Sequence, residues 1–238
     1  MPVRARSYER PSSLDEALTL LDDMGPRARL VGGGTDLTLH PPAELTTLID
    51  LSELDLEGIQ TSPEGIRIGA MTTLTDLAES PPVGAYLGGV VTGMLQLVGS
   101  PLLRNVATIG GHLARGRLSD IVPVFLALEA AVASYDGSHR EVLLADYYAG
   151  GYHRRPHILT SVLLPAAPDG AAASFLKFSR TFYDLALLNA ACYVQLAGGT
   201  SVDARVVVGE TPRLATSLTV AAGSLLGSPL TTEVIERA

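Results

Sequence analysis

Leu30-Val31-Gly32-Gly33-Gly34-Thr35-Asp36-Leu37 is the stretch from which this chain is best read. Three consecutive glycines behind an apolar run leave backbone amides bare of side chains, and such amides converge on an anion as a nest. The same glycines also suit a flexible turn, so the stretch alone leaves both readings open. A second stretch, Thr108-Ile109-Gly110-Gly111-His112, repeats the pattern of apolar lead, paired glycines and helical sequel. Two such loops can grip a diphosphate from both sides.

The spacing speaks against two common nucleotide sites. A Rossmann turn requires a further glycine three positions beyond the second and then a long helix. Here Thr35-Asp36-Leu37 follows instead, and Pro41-Pro42 closes the segment. A Walker loop requires Gly-Lys-Ser or Gly-Lys-Thr, which the chain lacks.

Outward from the first loop, Ser13 and Glu16 stand at the spacing of a capping box. They predict a helix over Leu14–Met24 with Leu14, Ala17, Leu18 and Leu21 on its apolar face and Gly25-Pro26 as its stop. Strands are expected at 28–31 and 48–51. A second unit opens with an alternating strand at Gly65–Gly69, after which Thr72 or Thr73 caps a short helix through Leu77 that Pro81-Pro82 ends. Residues 83–98 read as one buried helix and 120–129 as another. Residues 131–135 and 141–144 form a hairpin about Asp136-Gly137, and 157–164 a further strand. Pro165 to Gly170 has no apolar period and reads as a linker. Beyond it, strands at 174–179, 190–196 and 204–208 and a helix at 214–226 make a smaller third unit. The expected class is α+β, with one domain over 1–168, divided at about residue 54, and a second over 169–238.

Composition narrows the function classes. With 238 residues and 47% hydrophobic content the chain can bury its own core. A net charge of −8 opposes binding to nucleic acid or an anionic membrane. Lys177 is the only lysine among 17 basic residues, so anions are met by arginines and backbone amides. The single Cys192 excludes an internal disulfide and an iron–sulfur cluster held by four thiolates of this chain. No metal site is expected. The N-terminus lacks the apolar core of a secretory signal, which makes the cytoplasm the expected location. Residues 185–202 carry no charge but include Asn189, Gln195 and Gly198-Gly199, and read as a buried strand with its flanks, not a membrane span.

Leu30 to Leu37, together with Arg104-Asn105-Val106-Ala107-Thr108-Ile109-Gly110-Gly111, resemble the two flavin loops of the FAD-binding subunit family of molybdenum hydroxylases. That family includes the medium subunit of aerobic carbon monoxide dehydrogenase and the FAD domain of xanthine dehydrogenase. The resemblance continues through Asp120-Ile121-Val122-Pro123, Ile158 to Pro165, and Lys177-Phe178-Ser179-Arg180 with Asp184, covering nearly the whole chain in order. It implies an α+β, two-subdomain FAD-binding fold of the vanillyl-alcohol-oxidase (PCMH) type with a small C-terminal α/β domain. By position it assigns to FAD the residues Leu30, Val31, Gly32, Gly33, Gly34, Thr35, Asp36 and Leu37 of the first loop and Thr108, Ile109, Gly110, Gly111 and His112 of the second. Gly32 to Asp36 and Thr108 to His112 would supply amides and hydroxyls to the pyrophosphate. Asp120 would bond the ribose or a neighbouring group, Leu159 would pack near the adenine, and Lys177 would lie toward the isoalloxazine, where a cation favours the anionic reduced ring. On the residues alone, Asp120 equally caps a helix, Lys177 is equally a solvated strand residue, Leu159 reads as core, and Arg180 with Asp184 reads as an ion pair.

The function so implied is that of an FAD-dependent oxidoreductase subunit passing electrons from iron–sulfur and molybdenum-cofactor partner subunits to an external acceptor. A free-standing flavin enzyme acting on a small organic substrate and a non-catalytic flavoprotein scaffold are the alternatives. Three features depart from the family pattern. His112 replaces an expected Asn or Ser, Arg115-Gly116-Arg117-Leu118-Ser119 is one residue short and lacks a proline, and the C-terminal domain ends early at Ala238. His112 is either a neutral hydrogen-bonding group or a proton donor tuned to near-neutral pH, the one candidate for a catalytic role.

Overall fold

The computed structural model describes residues 5–210 and 214–238. After a short strand, β1 (Ser7–Glu9), the hydroxyl of Ser13 accepts from Glu16 N and starts α1 (Leu14–Met24). Glu16 turns its carboxylate onto the amide and hydroxyl of Ser12, at 2.8 and 3.0 Å, so the box closes one residue earlier than the spacing predicts. Ala17 is fully buried, and Leu14, Leu18 and Leu21 pack around it. β2 (Ala28–Val31) leads through the glycines into α2 (Thr35–Leu39), and the chain returns as β3 (Thr47–Asp50). The three strands form a parallel sheet in the order β1-β3-β2. Its C-terminal edge is where the first glycine loop emerges.

The second unit is built on an antiparallel sheet. β4 (Ile59–Ser62) turns into β5 (Gly65–Gly69), and Thr73, whose hydroxyl accepts from Asp76 N at 3.1 Å, caps α3 (Leu74–Glu79). α3 ends just before Pro81-Pro82, as expected, and the two prolines also occupy the first turn of a further helix, α4 (Pro81–Ala85), where a missing N–H costs nothing. The single helix expected over 83–98 is broken. Leu87, Gly88 and Gly89 take left-handed φ values of 45°, 68° and 82° before α5 (Val90–Leu95) resumes. The two glycines make that reversal inexpensive, and it turns Val83, Tyr86, Val91, Met94 and Leu95 all toward one core. Short helices α6 (Pro101–Arg104), α7 (Ile109–Arg115) and α8 (Ile121–Ala127) follow. The hairpin of β6 (Ala131–Tyr135) and β7 (His139–Leu143) forms as expected, with its return strand beginning two residues early. After α9 (Leu144–Ala149), β8 (Ile158–Pro165) completes a sheet of order β4-β5-β8-β6-β7. β8 is central, with Ile158, Leu159, Val162 and Leu164 buried.

The third unit carries β9 (Ala171–Phe178), β10 (Leu188–Ala197), β11 (Thr200–Glu210) and β12 (Thr216–Ser217) in an antiparallel sheet of order β12-β11-β10-β9. The uncharged stretch 185–202 thus becomes β10, a Gly198-Gly199 turn and the start of β11. The helix expected over 214–226 begins only at Thr219, because Thr216 and Ser217 pair with Val208 and Val207 as an edge strand. α10 (Thr219–Leu225) and α11 (Thr232–Arg237) close the chain. Among the described residues no helix is long and apolar enough to cross a membrane. The sheet rests on the second unit through α5 and α8.

Candidate functional site: the cleft at the glycine loops

The two glycine stretches meet. A side chain on Gly33 would place its Cβ 1.6 Å from the Val106 carbonyl oxygen, and one on Gly32 would sit 2.6 Å from the Thr108 hydroxyl. The first loop therefore lies directly on the chain that enters the second, at a distance only glycine permits. Gly34 then turns with φ 66° into α2, and Arg115 Nη2 pairs with Asp36 Oδ1 at 3.1 Å to tie α7 to α2.

The loops differ in what they offer. In the second, Ile109 N donates to Thr72 O (3.0 Å), Gly110 N to Ala70 O (2.8 Å), Gly111 N to the Thr108 hydroxyl (3.2 Å) and His112 N to Thr108 O (3.2 Å). In the first, the amides of Gly32, Gly33 and Gly34 have no acceptor among the described residues. The expectation that both loops supply amides is therefore narrowed. Free donors lie on the first loop, whereas the second contributes a wall without side chains at Gly110 and Gly111 and the hydroxyl proton of Thr108.

These residues border a cavity of about 620 Å³, within the range of cofactor sites. Of the residues singled out from the sequence, Leu30, Gly32, Thr108, Gly110, Gly111 and Leu159 line it. Val31, Gly33, Gly34, Thr35, Asp36, Leu37, Ile109 and His112 share the loops without lining the cavity. Leu159 belongs to the core and to the cavity wall at once, so its two readings coincide. Leu21, Leu51 and Met71 extend the apolar wall, while Arg29, His153, Arg154, Arg155 and His157 give it a basic rim, and among the described residues no carboxylate lines it. Sequence reasoning missed this rim. Its signal was there in Tyr152-His153-Arg154-Arg155-Pro156-His157, a dense basic run in an acidic chain.

Asp120 and Lys177 lie elsewhere. Lys177 Nζ is 2.8 Å from Asp120 Oδ2 and donates to Leu97 O at 2.7 Å, with the lysine side chain 3% exposed and the aspartate 8%. Asn189, directly opposite Lys177 in the β9–β10 register, donates to Asp120 Oδ1 at 2.7 Å. This corrects the reading of Lys177 as a solvated residue. It also corrects Asp120 as a cap, since Ser119 Oγ accepts from Ile121 N in its place. The three side chains form a buried joint between the C-terminal sheet and α8, outside the lining of the cavity. Arg180 and Asp184 pair at 2.9 Å on the surface, as expected.

Unengaged amides, a basic rim, an apolar wall and the absence of lining carboxylates fit an anionic dinucleotide. Residues 3–167 match the model of the FAD binding domain in molybdopterin dehydrogenase, and residues 173–238 that of the CO dehydrogenase flavoprotein C-terminal domain. The chain belongs to the FAD-binding subunit family of the molybdopterin dehydrogenases. The carbon monoxide dehydrogenase medium chain of Afipia carboxidovorans is 32% identical over 208 residues, covering 84% of this chain and 72% of the relative. The nicotinate dehydrogenase FAD-subunit of Eubacterium barkeri is 32% identical over 251 residues, covering 95% and 81%. The carbon monoxide dehydrogenase of Hydrogenophaga pseudoflava, solved without the Mo-pyranopterin moiety of its cofactor, matches with a TM-score of 0.90 at 29% identity, covering 99% and 85%.

Within this flavoprotein subunit, His112 lies on α7, just beyond the glycines of the second loop. Its Nδ1 lies 3.4 Å from Ser119 Oγ, and desolvation, then the Arg115 charge, push its pKa down to about 4, with Asp36 opposing weakly. The ring is neutral at physiological pH, which favours the hydrogen-bonding reading over the proton donor. The folded-state pKa lies below the ordinary value of 6.5, so the unfolded chain binds the extra proton first. The stability this neutral ring contributes is complete above 6.5 and lost as pH falls from 6.5 toward 4. His112→Asn is therefore expected to lessen the fall of the melting temperature between those limits, with the buried His157 supplying part of the remaining slope. An unchanged slope across that window would refute the assignment.

Proposed function

We propose that this subunit relays electrons, taking them from a partner iron–sulfur subunit in an assembly that also holds a molybdenum-cofactor subunit, and delivering them to an external acceptor in the cytoplasm. The observation that carries this reading is the cleft, where Gly32, on a loop whose amides at Gly32, Gly33 and Gly34 are unengaged, meets a wall of bare glycine and a basic rim. FAD, when bound, supplies the redox chemistry. The chain's residues bind and orient it: the first loop through its amides, Thr108 through its hydroxyl, Leu30 and Leu159 through apolar contact. The rest of Leu30 to Leu37 and Thr108 to His112 shapes the two loops, and residues 1–168 act as the flavin domain to which 169–238 are fastened by the Asp120–Lys177 joint. With only Cys192 available, cluster ligands must come from another chain. Relatives named as a medium chain and an FAD-subunit support the same division of labour.

Purification from the native source tests this. The chain should bring down one partner that carries molybdenum and another that carries iron–sulfur clusters, and when expressed alone should hold FAD without oxidising small organic substrates. Substrate oxidation by the chain alone would establish the free-standing enzyme instead, and a colourless chain that still captures partners would establish the scaffold.

A further inference from the structure

We propose that Thr72 is a positioning residue for the flavin: its hydroxyl clamps the turn that holds the second glycine loop onto the connection between the first and second units, and so fixes the spacing of the two loops. The proposal rests on the assignment of FAD to the cleft, but Thr72 lies outside the lining of the cavity. Thr73 supplies the cap of α3, which leaves the Thr72 hydroxyl for another use. Thr72 is 3% exposed, and all of its polar atoms are engaged. The amide donates to Gly69 O and the carbonyl accepts from Ile109 N, each at 3.0 Å. The hydroxyl accepts from Gly58 N at 3.0 Å and donates to Gly58 O at 3.1 Å, using both of its capacities on one residue of the connection.

The connection, residues 51–58 between β3 and β4, is folded, not slack. Leu54 N returns to Leu51 O at 3.1 Å, and Asp55 and Gly58 take positive φ values of 50° and 103°. A residue such as Asp55 holds that conformation only where its surroundings over-determine it. At its start, Leu51 N donates to Val31 O at 3.1 Å, directly ahead of the first glycine loop. At its end it receives the turn after β5: Met71 N donates to Leu56 O and Gly69 N to Gly58 O, both at 2.8 Å. A side chain on Gly69 would sit 2.3 Å from Leu56 O, so this approach needs glycine. The same turn holds the second loop through the carbonyls of Ala70 and Thr72, which accept from Gly110 N and Ile109 N. Met71 packs in the core of the first unit with Leu51 and Ile158 while it borders the cavity. A continuous path of bonds thus runs from Val31 through 51–58 and Thr72 to Ile109, and the Thr72 hydroxyl is its side-chain link. Groups that support a site in this way set its geometry without touching the ligand.

Thr72→Val keeps the shape and removes the hydroxyl. Gly58 is exposed, so its freed groups turn to water and the chain stays folded while the turn is released. FAD should then leave the full chain about five-fold faster, the scale of one lost hydrogen-bonding group. Thr72→Ser, which restores the hydroxyl, should release FAD at the wild-type rate. Hydrogen exchange on the wild-type chain supplies a second readout that a merely structural threonine would not move. The amides of Gly58 and Ile109 should gain protection together when FAD is added to the deflavinated chain, although Gly58 lies outside the cavity. Wild-type release from Thr72→Val, release from Thr72→Ser as fast as from Thr72→Val, or a Gly58 amide that exchanges alike with and without FAD overturns the clamp and leaves the flavin assignment standing. The exchange measurement decides the matter even where Thr72→Val does not fold. A wild-type chain that binds no FAD overturns the flavin assignment itself, and the clamp with it.

Discussion

Gly33→Ala is expected to cost about 3 kcal/mol of stability and to strip the chain of flavin, the outcome of forcing a methyl group into a packed interior. The added carbon would sit 1.6 Å from the Val106 carbonyl oxygen, and the nearest atoms are all backbone, so no side chain can swing aside. Relief requires the first loop to lift away from 106–108, which opens the contact on which the cleft depends. Gly34→Ala makes a useful comparison. There the nearest neighbour is a Val31 methyl at 3.6 Å and the penalty comes from the left-handed φ of 66°, about 1 kcal/mol. Urea denaturation with flavin content measured on the same preparations checks the pair. A Gly33→Ala protein that stays yellow and melts like wild type would show that the loops are not locked together as described.

The second large effect belongs to the buried joint. Lys177→Met leaves the Asp120 carboxylate buried with only the Asn189 amide as its partner, and stranding a buried charge costs about 3–5 kcal/mol. Removing both charges is a different matter. Lys177→Met combined with Asp120→Leu should destabilise less than Lys177→Met alone, because no unpaired charge remains. Since Lys177 and Asn189 lie on β9 and β10 and Asp120 starts α8, the single variant should also make the C-terminal sheet more susceptible to protease. Equal losses in the single and double variants would indicate that side-chain packing, not the ion pair, holds this joint.

What was legible in the sequence was what local chemistry decides. α1, β2 and β5 lie within the residues expected, because a cap, an apolar period or an alternation settles each without distant help. The break inside 83–98 was not legible: Gly88 and Gly89 permit a reversal but do not demand one, and the core formed with β8 and β9 selects it. Pro81-Pro82 was ambiguous for a related reason, since proline both ends one helix and begins the next. In the cleft, the meeting of the two glycine loops could be read in advance, but the division between free and engaged amides could not. That division depends on the carbonyls of Ala70 and Thr72, far earlier in the chain than the amides they accept. Asp120 and Lys177 each stand out singly in the sequence. Their partnership arises from the docking of one sheet against α8, and no spacing in the sequence encodes it. The basic run at 152–157 was visible as composition only, lacking the periodicity that draws attention to an element.

The most direct test of the cleft as the flavin site uses Gly111. It lines the cavity, and a Cβ there would meet the Thr108 hydroxyl at 3.1 Å, a tight contact that a shift of a few tenths of an ångström in that side chain relieves, so the position is suited to a residue chosen to fill the cleft. FAD titrated into the deflavinated chain should bind at one molecule per chain in the wild type. With Gly111→Leu, binding should fall more than about 100-fold, the loss of roughly 3 kcal/mol expected when a side chain occupies the ligand's place. Cooperative unfolding should be retained. Gly111→Leu protein that binds FAD as tightly as wild type would place the flavin somewhere other than between the two glycine loops.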